Sequence, residues 1–187
     1  LDTAEYEQIN PNRMIPSIKD GDFALWESLA IVRYLCDSYG AGTLSPTDPK
    51  LRATADQWME WSASRPFMPV IYLFFATVRT APAERDPVKI ANFRNEAHEA
   101  LTIVDRHLSD RAYLCGDSFT MGDIPLGCVV YRYFNVDIER PPLPNVEAWY
   151  DRLSRRKAYQ NHVMRHFGTN PEEWVALEKA CASEGVI

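Results

Sequence analysis

Three observations predict an α+β chain that is mostly α. Residues 14–27, MIPSIKDGDFALWE, read as two short strands joined by a turn. Residues 28–39 switch to helical spacing of their apolar side chains. Beyond residue 50 every periodic segment reads as helix.

In the hairpin, Ile15, Ile18, Phe23 and Leu25 are strand-compatible, and Asp20-Gly21 supplies turn chemistry. Pro16 conflicts with a paired strand because it has no N–H to donate, so it requires an edge, a bulge or a cis bond. The helix over 28–39 carries Leu29, Ile31, Val32 and Leu35 on one side and meets Gly40 as its stop. The loop AGTLSPTDPK follows; its Pro, Gly and Ser content makes it the expected boundary between domains at 1–41 and 42–187.

Asp48-Pro49 and Asp86-Pro87 each pair a capping carboxylate with proline at the first helical position. Pro66 and Pro69 should kink or break the first of these helices. The second carries Ile90, Phe93, Ala97, Leu101, Val104 and Leu108 at spacings of three and four, an amphipathic stripe. In GDSFTMGDIPLG, Thr120 and Asp123 form a capping box, which Phe119 and Ile124 can close as a staple. Further helices are expected over 145–156 and 158–165. Two strands and one helix cannot bury both faces of a sheet. Either the helical part covers them, or more sheet precedes Leu1.

The chain has 187 residues, 46% apolar and 25% charged, with a net charge of −6. That composition supports a globular core and argues against nucleic acid as a partner, since the densest basic run, Arg152 to Lys157, sits where a helix end favours cations. Cys36, Cys115, Cys128 and Cys181 form no Cys-x-x-Cys pair and are expected as reduced thiols in the cytoplasm. No apolar run is long enough to span a membrane, so no membrane partner is expected. His162 and His166 are four apart, but no third ligand is evident and no metal is expected. His98 and His107 are expected at the surface.

Glu27-Ser28 stands where the second strand becomes a helix. A helix N-terminus presents unpaired N–H groups and partial positive charge, a ready anion site. Ser28 adds a hydroxyl and Glu27 a carboxylate, so the pair could hold an amino-acid head group. The simpler reading is an N-cap serine beside an acid that the dipole favours.

NPNRMIPSI followed by LWESLAIVRYL resembles the second half of the glutathione-binding domain of soluble glutathione transferases. YLCGDSFTMGDIPLG resembles the start of a helix in their all-helical C-terminal domain, and LPNVEAWYDRLSRRKAY the segment after it. These motifs together span nearly the whole chain and look like those of bacterial, theta-like members. The resemblance implies a partial thioredoxin-like domain, β-β-α, within 1–41, and an all-α domain within 42–187. The preceding β-α-β unit would carry the catalytic Ser, Tyr or Cys, so no catalytic residue is named.

In that family Pro16 matches the cis-proline, Ile15 presents its backbone to the cysteinyl part of glutathione, and Glu27 and Ser28 hold the γ-glutamyl head group. Met14 stands where many members have Lys or Arg, and Arg13 where many have Gly; Arg13 is therefore the expected cation for the glycyl carboxylate. An apolar electrophile is expected against Trp61, Arg65, Phe67 and Met68. Thr120 and Asp123 are structural. The implied activity is conjugation of the glutathione thiolate, with glutathione as co-substrate, to small apolar electrophiles in detoxification, by a homodimer. Two alternatives stay open: a glutathione-dependent peroxidase or thiol transferase, and a non-catalytic glutathione-binding or dimerisation protein.

Overall fold

The computed structural model describes residues 1–183, so residues 184–187 of the expected second domain lie outside the described residues. The described residues form one antiparallel hairpin and a series of helices. Strands β1 (Ser17–Asp20) and β2 (Phe23–Trp26) pair with Ser17 opposite Trp26 and Asp20 opposite Phe23. The two-residue loop has a left-handed φ only at Gly21 (60°), the pattern of a type II′ turn. Pro16 lies just ahead of β1, which removes its conflict with the ladder.

Helix α1 (Ala4–Ile9) precedes the hairpin and α2 (Ser28–Tyr39) follows it. Asp20 ties the hairpin to α2, accepting from the hydroxyls of Tyr34 (2.8 Å) and Tyr39 (2.5 Å). Those hydrogen bonds, Tyr39's first, hold its carboxyl below the ordinary value. The inner face of α2 packs Cys36 against Ala55, Met59 and Met121 of the helical part. Burial pushes the Cys36 thiol up to about 11, as fits a packed rather than reactive cysteine. Arg33 crosses the same seam to pair with Asp56 (2.6 Å) and with Glu60.

The helical part runs α3 (Pro49–Ser64), α4 (Phe67–Thr77), α5 (Pro87–His107), α6 (Asp123–Asn135), α7 (Pro144–Ser154), α8 (Lys157–His162) and α9 (Pro171–Ser183). Asp48 and Asp86 cap α3 and α5 as their sequences demand, accepting from Leu51 N–H (2.8 Å) and Val88 N–H (2.9 Å). Pro66 falls in the break between α3 and α4, while Pro69 sits in the first turn of α4, where no N–H is needed. Ala97, Leu101, Val104 and Leu108 are buried from the α5 stripe, and Trp149, Tyr133 and Leu73 fill the centre of the core.

The capping box forms in part. Asp123 accepts from Thr120 N–H (2.9 Å), but the Thr120 hydroxyl turns to the same carboxylate rather than to a backbone N–H. The other carboxylate oxygen accepts from Leu114 N–H (3.0 Å) and Trp149 Nε1–H (2.9 Å). Asp123 is fully buried, and burial pushes its carboxyl up against the pull of these donors. It therefore ties α6 to α7 and to the segment before α6. The histidines of α5 depart from expectation: His107 is half-buried, bonding the Leu114 carbonyl (2.8 Å) beside Trp58, and His98 keeps a buried Nδ1.

Candidate functional site

Ser17 pairs with Trp26 at the open end of the hairpin, so Pro16 directly precedes the ladder on one strand and Glu27 directly follows it on the other. Ile15-Pro16 and Glu27-Ser28 thus flank the same end of the hairpin, where α2 begins.

The Ile15–Pro16 peptide bond is cis. Ile15 is 70% exposed, and neither its N–H nor its C=O bonds to the chain among the described residues. Glu27 is the N-cap of α2, its carbonyl accepting from Ile31 N–H (2.9 Å), but its side chain caps nothing and is exposed. Its φ is 74° and its ψ 117°, a region that a residue with a Cβ seldom occupies. Ser28 is the first helical residue and not the N-cap, so the simple capping reading of this pair does not describe it. The N–H groups of Ser28, Leu29 and Ala30 precede the first helical hydrogen bond and are open to a ligand. The corner offers a free acid, a hydroxyl, a helix N-terminus and an unpaired peptide edge.

Arg13 shares the left-handed backbone (φ 52°), and its guanidinium pairs with Glu7 of α1 at 2.6 Å. Both partners are about half exposed, so this pair is weak and open to displacement.

Two residues that sequence reasoning missed hold this corner from behind. The Tyr6 hydroxyl donates to the Met14 carbonyl (2.7 Å), and the Asn10 amide donates to the same oxygen (2.8 Å). Both also reach Ser17 Oγ, at 3.0 and 3.2 Å. Asn10 is only 3% exposed and uses its own oxygen to accept from Asn12 N–H (3.0 Å). Tyr6 lies in α1 while Asn10 is its C-cap, with extended backbone, and opens NPNRMIP, so no helical spacing in the sequence announced the pair.

The expected electrophile contacts lie elsewhere and divide. Trp61 and Arg65 line a hollow of about 510 Å³ between the α3–α4 break and α5, together with Glu96 and Ile103. Phe67 and Met68 are exposed and outside that lining. None of the residues lining it belongs to the hairpin corner. Among the described residues, no group of three His, Cys, Asp or Glu could hold a metal ion. No helix among them is long and apolar enough to cross a membrane.

Residues 1–38 match the family described as glutathione S-transferase, N-terminal domain, and residues 87–152 match glutathione S-transferase, C-terminal domain. Glutathione S-transferase GstB of Escherichia coli K12 is 36% identical over 163 residues, covering 86% of this chain and 78% of that protein. The chain belongs to the glutathione S-transferase family. A second member, glutathione S-transferase F14 of Arabidopsis thaliana, is 30% identical over 172 residues, covering 83% of this chain and 67% of its own. Among solved structures, the theta class glutathione S-transferase of Xanthomonas axonopodis pv. citri with glutathione bound is 45% identical. It superposes with a TM-score of 0.84, covering 89% of this chain and 80% of that one. The fold is that of the glutathione S-transferases: a thioredoxin-like N-terminal domain, seen here as α1, the hairpin and α2, followed by an all-helical domain.

Proposed function

We propose that this chain is a glutathione transferase that binds glutathione at the mouth of the hairpin and joins its sulfur to small apolar electrophiles. The observation that carries the reading is Glu27: an exposed acid with no partner among the described residues, in a strained backbone at the start of a helix whose first N–H groups are open. That arrangement complements a zwitterionic head group. The Glu27 carboxylate takes the ammonium, while Ser28 and the α2 N-terminus take the carboxylate. The free N–H and C=O of Ile15, ahead of Pro16, pair with the cysteinyl backbone in the manner of an added strand. Arg13 exchanges Glu7 for the glycyl carboxylate.

The sulfur then attacks an electrophilic carbon. A C–S bond forms, and either the leaving group departs with its electron pair or the new carbanion takes a proton. A free thiol titrates near pH 8.5, so the bound one must be held as thiolate. The residues named here bind and orient; none is assigned that role. The domain division at 41/42, the electrophile contacts, a homodimer and a cytoplasmic, detoxifying setting belong to the same proposal and rest on the family resemblance.

Calorimetric titration with reduced glutathione tests the site. Glu27→Ala and Ser28→Ala should each weaken binding by about tenfold or more, the loss of one charge-assisted hydrogen bond, with unchanged melting. Unchanged affinity in both variants would remove the site assignment. Failure of the wild type to consume thiol with 1-chloro-2,4-dinitrobenzene would remove the activity.

A further inference from the structure

Residues 1–15 carry one cationic side chain, Arg13, against three acidic ones, Asp2, Glu5 and Glu7. Among the described residues the Arg13 guanidinium bonds only to Glu7, through a single contact from Nη2 to Oε2 at 2.6 Å. One nitrogen on one oxygen leaves the planar fork half used. A second carboxylate that takes both parallel hydrogen bonds competes well for it.

The backbone at Arg13 is held without Glu7. The Arg13 N–H donates to the Asn10 carbonyl (3.0 Å), and Asn10 Oδ1 accepts from the N–H (3.0 Å) and Nδ2 (3.2 Å) of Asn12. The Met14 carbonyl is fixed in turn by Tyr6 and Asn10. Glu7 lies in α1, which buries no side chain, and both members of its pair with Arg13 are about half exposed. Breaking that pair leaves the Tyr6 and Asn10 anchors in place.

The direction of a bound tripeptide brings a competitor to the same guanidinium. A cysteinyl residue that pairs with the N–H and C=O of Ile15 as an added antiparallel strand runs its γ-glutamyl end past Pro16, toward the end of the hairpin where Glu27 and Ser28 follow β2. Its glycyl end runs the other way, past Met14. Successive strand residues advance about 3.3 Å, so the glycyl carboxylate comes within a side chain's length of Arg13.

We propose that Glu7 competes with the glycyl carboxylate of glutathione for Arg13, and thereby sets how strongly the site distinguishes glutathione from thiols blocked at that end. The proposal rests on the reading of the hairpin corner as the glutathione site. Glu7 touches no part of the thiol in this scheme; it acts through Arg13.

The test titrates reduced glutathione and its glycyl ethyl ester calorimetrically into the full chain. The ester keeps the head group and the thiol and lacks the glycyl charge. In the wild type the exchange replaces one exposed ion pair with another, so the two thiols should bind within about threefold of each other. Glu7→Gln releases Arg13 and should tighten glutathione by about two- to fivefold, the strength of one exposed ion pair, while the ester stays unchanged. That gain should vanish in the Arg13→Gln background, and should shrink in about 1 M sodium chloride, where the screening length is about 3 Å. A Glu7 that only fastens α1 would move both thiols together. Glutathione unmoved or weakened by Glu7→Gln, an equal shift for the ester, or the same gain without Arg13 would each overturn the proposal. If Glu27→Ala abolishes glutathione binding while Glu7→Gln does nothing, the hairpin-corner site stands and this inference falls. If the wild type binds neither thiol, both fall.

Discussion

Replacing Glu27 with glycine should make the protein more stable and worse at binding glutathione. Glu27 holds φ at 74° with ψ at 117°, outside the left-handed helical basin that non-glycine residues tolerate best. Backbone of this kind costs on the order of 1–3 kcal/mol in a residue with a Cβ. Glycine removes that cost but gains freedom in the unfolded chain worth about 0.4–1 kcal/mol. The net gain is about 1 kcal/mol, or a melting temperature higher by roughly 2–4 °C for a chain of this size. The same change deletes the carboxylate, and a charge-assisted hydrogen bond is worth about 1.5–3 kcal/mol, so glutathione affinity falls by about ten- to a hundredfold. Glu27→Ala separates the two effects, because it keeps the Cβ and loses the charge. Scanning calorimetry should therefore rank Gly above both wild type and Ala, while titration with glutathione should place Gly and Ala together, far below wild type. If the glycine variant melts with or below the alanine variant, no strain is stored at this corner. If all three bind glutathione alike, the acid faces no ligand.

The remaining predictions concern what holds the corner and the core. Tyr6→Phe removes two hydrogen bonds behind the Ile15–Pro16 loop; KM for glutathione should rise several-fold with kcat little changed, and steady-state kinetics on both substrates would show otherwise if Tyr6 is only structural. Asp123→Ala strands the N–H donors of Leu114, Thr120 and Trp149 in the core, at about 1–3 kcal/mol each before relaxation, so its melting temperature should drop by roughly 10 °C or more in calorimetry. A drop of only a degree or two would mean that those donors find other partners. Asp20 titrates below its ordinary value because Tyr39 and Tyr34 donate to it. Its contribution is therefore present above the unfolded carboxyl pKa of about 3.9 and is lost as pH falls through the lower folded value. Tyr39→Phe should move the Asp20 titration upward in a carboxyl-resolved NMR experiment, and no movement would contradict the assignment.

Signals that act within a few residues were legible in the sequence. The limits of α2, Ser28 to Gly40, came from a change of period and a terminal glycine. The starts of α3 and α5 came from Asp-Pro, because an N-cap side chain bonds only two or three residues ahead. Contacts made across the fold were not legible. The N–H groups at the start of α7 are capped by Asp105 of α5, which accepts from Asn145 (2.8 Å) and Val146 (3.0 Å), some forty residues away in the chain. The capping box at Thr120 was read as a local exchange, whereas Asp123 spends its second oxygen on Leu114 and Trp149. Helix α1 escaped notice because it buries no side chain and so leaves no apolar period.

The candidate site divides along the same line. That Glu27 and Ser28 stand at a strand-to-helix joint is a local fact, visible in FALWESLAIVRY. That they and Ile15-Pro16 flank the same end of the hairpin needs only the hairpin register, which a two-residue turn fixes. What no local rule delivers is the left-handed backbone of Glu27, since glutamate has no preference for it and glycine would serve better there. Local preference and native conformation disagree at that residue. A chain that keeps an acid at a position suited to glycine is retaining the carboxylate at a cost in stability, and the two halves of the glycine experiment measure that cost and what the carboxylate does.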